Sequence, residues 1–135
     1  MTTKTSDRNE VMSPKLRRWL RTLDDLLNEV EEWASKEAWP VSRKRKQLSE
    51  TEYGAYATGV LDVKTPDGWL VVDPIAHSVV GAEGRVDLYS FPTLRRVVLI
   101  RRGNQWALKS DEGLVLRRKW NRKTFLELAR DLTHP

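Results

Sequence analysis

The chain has 135 residues, no cysteine and only two histidines, His77 and His134. That composition excludes disulfides and thiolate catalysis and all but excludes a cysteine- or histidine-built metal centre. Its 24 Lys and Arg against 19 Asp and Glu give a net charge of +5, mildly basic and short of a charge-driven tail.

The length accords with one domain able to bury a core of its own. The longest apolar runs, 69–72 and 97–100, are strand-sized and far below the roughly 20 residues of a membrane span. With no cysteine, no leader pattern and no anchor, a cytoplasmic location and no membrane partner are expected. Residues 1–12 read as a disordered tail, too polar to offset their ordering entropy, ahead of a single domain over 13–135.

Ser13-Pro14 is a helix start, a capping hydroxyl followed by the residue suited to the first helical position. Leu16, Trp19, Leu20, Leu23, Leu26, Leu27, Val30, Trp33 and Ala34 then recur at helical steps, and Pro40 ends the pattern after Trp39. The spacing predicts an amphipathic helix from Pro14 to about Ala38. Its charges oppose the helix dipole: Lys15, Arg17, Arg18 and Arg21 come first, Asp24, Asp25, Glu29, Glu31, Glu32 and Glu37 last. An antiparallel second copy would set basic half against acidic half, whereas packing of the stripe on the chain's own sheet would leave the charges in water. A homodimer is compatible with either arrangement.

Residues 41–54 read as a polar connector carrying the run Arg43-Lys44-Arg45-Lys46. From Ala55 the period becomes that of strands. Strands over Ala55–Lys64 and Trp69–Asp73 flank the Pro66-Asp67-Gly68 turn, and Arg85–Tyr89 alternates apolar with polar. Arg95–Arg102, Gln105–Lys109 and Leu114–Arg118 follow, separated by Gly103-Asn104 and by a turn over Ser110–Gly113. Such short connections demand antiparallel pairing. Asn121 caps a closing helix whose buried stripe is Phe125, Leu128, Ala129 and Leu132, with Trp120 placed to staple onto Phe125. The fold expected is therefore α+β: a long N-terminal helix, an antiparallel sheet of about six strands built from hairpins, and a short C-terminal helix.

Catalytic patterns fail one by one. His77 has no ligand-type neighbour at helical or hairpin spacing, Gly81–Gly84 lacks the helix that would aim amides at a phosphate, and no serine sits in a nucleophile setting. Asp87, preceded by Asp73-Pro74, resembles the strand aspartate of the restriction-endonuclease-like family. The next strand, however, lacks that family's Glu-x-Lys, so a magnesium ion would lose half its ligands. No catalytic residue, cofactor, metal or small-molecule site is identifiable, and a non-enzymatic interaction domain is the reading.

Two sets of residues could carry an interaction. The first is the helix stripe with its neighbouring tryptophan, namely Leu16, Trp19, Leu23, Leu27, Val30, Trp33 and Trp39, through which the chain would self-associate. The second is basic. Residues 91–135 carry 11 Lys and Arg against 4 Asp and Glu, a net +7, while residues 1–90 sum to −2. In the register the turns imply, Arg101 lies opposite Trp106 and Trp106 opposite Arg117, with Leu99, Leu108 and Val115 one row further in. Both faces of these strands then turn from apolar to basic along their length, which implies a sheet covered on both sides. A rim of Arg101, Trp106, Arg117, Arg118, Lys119, Arg122 and Lys123 would stack bases and neutralise phosphates, making weak nucleic-acid contact the alternative function. Finally, Gly81–Tyr89, Gly103–Leu116 and Trp120–Leu132 are similar to small bacterial proteins of helix–sheet–helix layout, a resemblance of structural motifs that implies no activity.

Overall fold

The computed structural model describes residues 12–111 and 115–135. The expected tail over 1–12 thus lies outside the described residues except for Met12, which packs partly buried on the core. Ser13 caps the first helix as the sequence implies: its Oγ accepts from the Leu16 N–H at 3.0 Å, and Pro14 holds the first position. Helix α1 runs Pro14–Lys36 and ends in a left-handed residue, Ala38, at φ 60°. The Ala38 N–H reaches the Ser35 carbonyl and the Trp39 N–H the Ala34 carbonyl, each at 3.0 Å. This is a paired C-terminal closure of the kind glycine usually makes. It swings Trp39 back under the helix, where it is 7 % exposed.

Strands β1 (Val41–Glu50), β2 (Gly54–Lys64), β3 (Trp69–Ala76), β4 (Arg85–Phe91), β5 (Arg96–Arg102), β6 (Gln105–Ser110) and β7 (Val115–Leu116) follow, and helix α2 (Arg122–Thr133) closes the chain. The strands form one antiparallel sheet in sequence order, each paired with the next. The arrangement is the α+β layout expected, with one more strand than the hairpin signals indicate. The extra strand is β1. The segment read as a polar connector pairs with β2 along its whole length, from Val41 with Val63 to Glu50 with Gly54. Three of its four basic residues are held by other elements: Arg43 bonds Asn28 and Glu31 of α1, Lys44 pairs with Asp62, and Lys46 with Asp73.

Both helices lie on one face. Leu61 and Val63 of β2, Leu70 and Val72 of β3, Val86 and Leu88 of β4, Leu99 of β5 and Leu108 of β6 point there in register. They share a core with Leu16, Trp19, Leu23, Leu26, Leu27 and Val30 of α1 and with Phe125, Leu128, Ala129 and Leu132 of α2. Trp120 meets Phe125 edge-on at 6.0 Å, and the Asn121 side chain accepts from the Thr124 N–H at 2.9 Å, so the staple and the cap form together.

Among the described residues the opposite face carries no helix, contrary to the sheet covered on both sides. Its buried Val71, Val98 and Ile100 belong to a layer apart from the core, among long charged side chains. There Asp73 and Asp87 are register partners, and neighbouring cations neutralise each of them. Lys46 holds Asp73 at 2.7 Å, while Arg85 grips Asp87 with two bonds of 2.7 and 3.0 Å and Arg96 adds a third at 3.2 Å. Among the described residues, no group of three or more His, Cys, Asp or Glu could hold a metal ion.

Candidate functional site

The apolar stripe of α1 is consumed within the chain. Leu23, Leu27 and Val30 are fully buried under the sheet, Leu16, Trp19 and Trp39 nearly so, and Trp33 is half-buried against Trp120 and Phe125. Re-exposing Leu23 and Leu27 alone would cost about 3–6 kcal/mol, comparable to the whole stability of many domains. Any contact that a second copy made through Leu23, Leu27 or Val30 would carry that cost, whereas Trp33 keeps part of its surface accessible.

The acidic half of α1 is likewise answered internally. Glu31 meets Arg43, Glu32 meets Lys36, and Glu37 receives both Arg122 and Arg130 of α2 at 3.1 Å. Part of the basic half is not. Lys15, Arg18 and Arg21 form no ion pair with a described residue, and Lys15 stands in the first turn, where a cation opposes the helix dipole. Sequences break a local rule of this kind most often at functional positions.

Two depressions open along α1, and Arg101 lines both, whereas Lys15 and Arg18 line the smaller one alone. The larger, about 730 Å3, is a groove between α1 and the end of the sheet. Its cations are Arg101, Arg102, Arg117, Arg118 and Lys119, and Asp25 and Glu29 of α1 stand on its other wall. The strand register explains the opening. Arg101 does lie opposite Trp106, with its guanidinium 5.1 Å from the indole centre. But Leu108 pairs with Leu116 and Lys109 with Val115, one residue off the expected register. A connection of five residues replaces the four-residue turn, and a one-residue slip exchanges the faces of the strand. Leu116 therefore joins Leu99 and Leu108 on the core side. The paired segment ends at Leu116, so Arg117, Arg118 and Lys119 leave the sheet and flank the groove from outside instead of standing opposite Trp106.

Trp106 is not the exposed platform its position implies. It is 8 % exposed and meets Trp19 at 6.3 Å across the core. Arg122 and Lys123 stand on the first turn of α2, away from the groove, with Arg122 engaged by Glu37. Burial lowers the pKa of Arg101 although Glu83, Glu29 and Asp25 oppose that shift, and burial, reinforced by Asp25, raises that of Glu29. Both groups thus carry part of the cost of lining a recess.

The second depression, about 610 Å3, centres on His77. The imidazole is stacked between Trp19, 5.3 Å away at 14°, and Tyr53, 5.6 Å away at 15°. Its Nδ1 donates to the Glu83 carbonyl at 2.6 Å. The backbone around it is fixed by Glu50, whose carboxylate accepts from the His77 N–H at 2.9 Å, the Ser78 N–H at 2.8 Å and the Tyr56 hydroxyl. Tyr56 in turn accepts from Trp19 Nε1 at 3.2 Å. Lys15, Arg18 and Arg101 complete the cationic part of the wall. Sequence reasoning missed this site because His77 meets its partners only through the fold. The one signal available was the misplaced charge of Lys15 and Arg18.

No family model matches the chain, and no curated protein or solved structure is detectably similar to it.

Proposed function

We propose that this protein is a non-enzymatic module that binds the phosphate backbone of nucleic acid along the groove between α1 and the β5–β7 end of the sheet. The observation that carries the reading is the division of the cations. On the outer face, Lys44, Lys46, Arg85 and Arg96 each bond an aspartate, Lys64 bonds the Thr65 carbonyl, and Lys109 stands beside Val98 with no carboxylate bonded among the described residues. Around the groove, Arg102, Arg117, Arg118 and Lys119 bond no carboxylate among the described residues, and all four are exposed. Unspent charge gathered on one concave surface favours a polyanion. A cytoplasmic location accords with such a partner.

Trp106 supports the groove from beneath, so the mode of binding is charge neutralisation and not base stacking. Sequence preference is accordingly weak and salt dependence steep. Neutralising about four phosphates implies an affinity loss of roughly 50- to 150-fold between about 50 and 200 mM salt. Titrating labelled single- and double-stranded oligonucleotides at those two salt concentrations tests the reading. Absence of binding at the lower salt overturns it.

A further inference from the structure

The pocket at His77 adjoins the groove through Arg101 but differs from it in construction. In the groove the cations stand along a channel, whereas in the pocket Lys15 and Arg18 of α1 and Arg101 of β5 surround one recess with an imidazole in its wall. Both faces of that imidazole are covered by Trp19 and Tyr53, so the ring can offer a ligand only its edge. Nδ1 faces a carbonyl oxygen and must carry a proton, which leaves Nε2 as the free nitrogen, with no partner among the described residues. Two carboxylates also line the recess, and each is already occupied. Glu52 accepts from the Ser78 hydroxyl at 3.3 Å and Glu83 from the Gly103 N–H at 3.0 Å.

Resting on the strand-binding reading, we propose that this pocket receives a phosphomonoester, the terminal phosphate of a strand lying in the groove. A phosphodiester carries one negative charge and continues in both directions. A phosphomonoester carries about −1.5 to −2 and ends the chain, which suits a recess with three cations beside a channel. Its three terminal oxygens can accept from Lys15, Arg18 and Arg101 together, while the edge of His77 presents Nε2 to the same recess.

The test compares one oligonucleotide in three forms: unphosphorylated, 5′-phosphorylated and 3′-phosphorylated. One phosphorylated form is expected to bind about tenfold more tightly than the unphosphorylated strand. That gain should fall to about twofold or less in Lys15→Gln and in Arg18→Gln, both at exposed positions whose replacement leaves the core untouched. Equal binding of all three forms overturns the terminal-phosphate proposal and leaves strand binding standing, whereas no binding of any form overturns strand binding itself. Replacing His77 would loosen the aromatic stack, so its role is read in the intact protein. The chain has only two imidazoles, and their ring C–H resonances can be followed separately by NMR. Adding a nucleoside monophosphate should shift those of His77 and leave those of His134 in place. A His77 signal that stays still, or moves no more than that of His134, overturns the proposal.

Discussion

Gly84 and Trp19 are in contact across the mouth of the core: a Cβ on Gly84 would stand 2.3 Å from Cζ3 of the indole and 2.4 Å from Cη2. Trp19 cannot yield, because its other neighbours are Trp106, the stacked ring of His77 and the hydroxyl of Tyr56. Gly84→Ala should therefore lower stability by about 2–3 kcal/mol, the overpacking penalty of a rigid site. Urea unfolding followed by tryptophan fluorescence measures it. Stability within about 0.5 kcal/mol of the parent would show that the indole is free to move.

Glu50 and Tyr56 bond each other and set opposite ends of the pH profile. Burial pushes the Glu50 carboxyl up, but the hydrogen bonds from the His77 N–H, the Tyr56 hydroxyl and the Ser78 N–H outweigh it and hold the group below its ordinary 4.5. A lowered carboxyl contributes stability that is complete above its unfolded value and lost as pH falls through the folded one. For Tyr56, burial first and then Glu50 raise the phenol well above its ordinary 10.0, so the folded state retains the proton. That contribution is complete below the unfolded value and lost as pH rises towards the folded one. Urea midpoints measured across pH should fall at both extremes. Glu50→Gln should flatten the acid limb, and Tyr56→Phe should flatten part of the alkaline limb, the remainder belonging to Tyr53 and Tyr89, whose phenols burial also raises.

Ala38 holds a left-handed conformation that costs an L-residue about 1–2 kcal/mol and glycine almost nothing. Both closing hydrogen bonds of α1 depend on it. Ala38→Gly should raise stability by about 0.5–1 kcal/mol after the added flexibility of the unfolded chain is subtracted, with a gain of a few degrees in Tm. Ala34→Gly, a buried helical position four residues earlier, should lower it. A Tm ordering that reverses these two would contradict the geometry of the helix end.

The elements most legible in the sequence were those whose signals are local. Ser13-Pro14, the stripe from Leu16 to Ala34, the Trp120-Asn121 staple and cap, and the Arg101–Trp106 pair all depend on residues close in the chain. Strand β1 was hidden because its side chains are polar. What holds it is pairing with β2 and the anchoring of Arg43, Lys44 and Lys46 by acids from α1, β2 and β3, none of which is visible in a window of ten residues. The β7 register depended on one residue of turn length, and that residue decides whether Arg117 faces Trp106 or leaves the sheet. The His77 pocket was illegible for the same reason on a larger scale, since α1, the end of β1, the loop after β3 and β5 must all be in place before it exists.

Asp25 and Glu29 make the groove a direct test of the electrostatic reading. They stand on the wall opposite the cations, and partial burial and then Asp25 raise the Glu29 carboxyl above the ordinary 4.5. A raised carboxyl destabilises the folded chain once pH exceeds its folded value, so both acids work against binding and Glu29 against folding as well. Asp25→Asn and Glu29→Gln should each tighten nucleic-acid binding by about two- to fivefold at low salt, and the second should leave stability equal or higher. Arg117→Ala, Arg118→Ala and Lys119→Ala should act in reverse. Each should weaken binding uniformly across sequences and reduce the slope of log affinity against log salt by about 0.7–0.9, with no loss of stability because all three side chains are exposed. If the acid variants leave affinity unchanged while the cation variants weaken it, the strand runs outside the groove along Arg117–Lys119 alone.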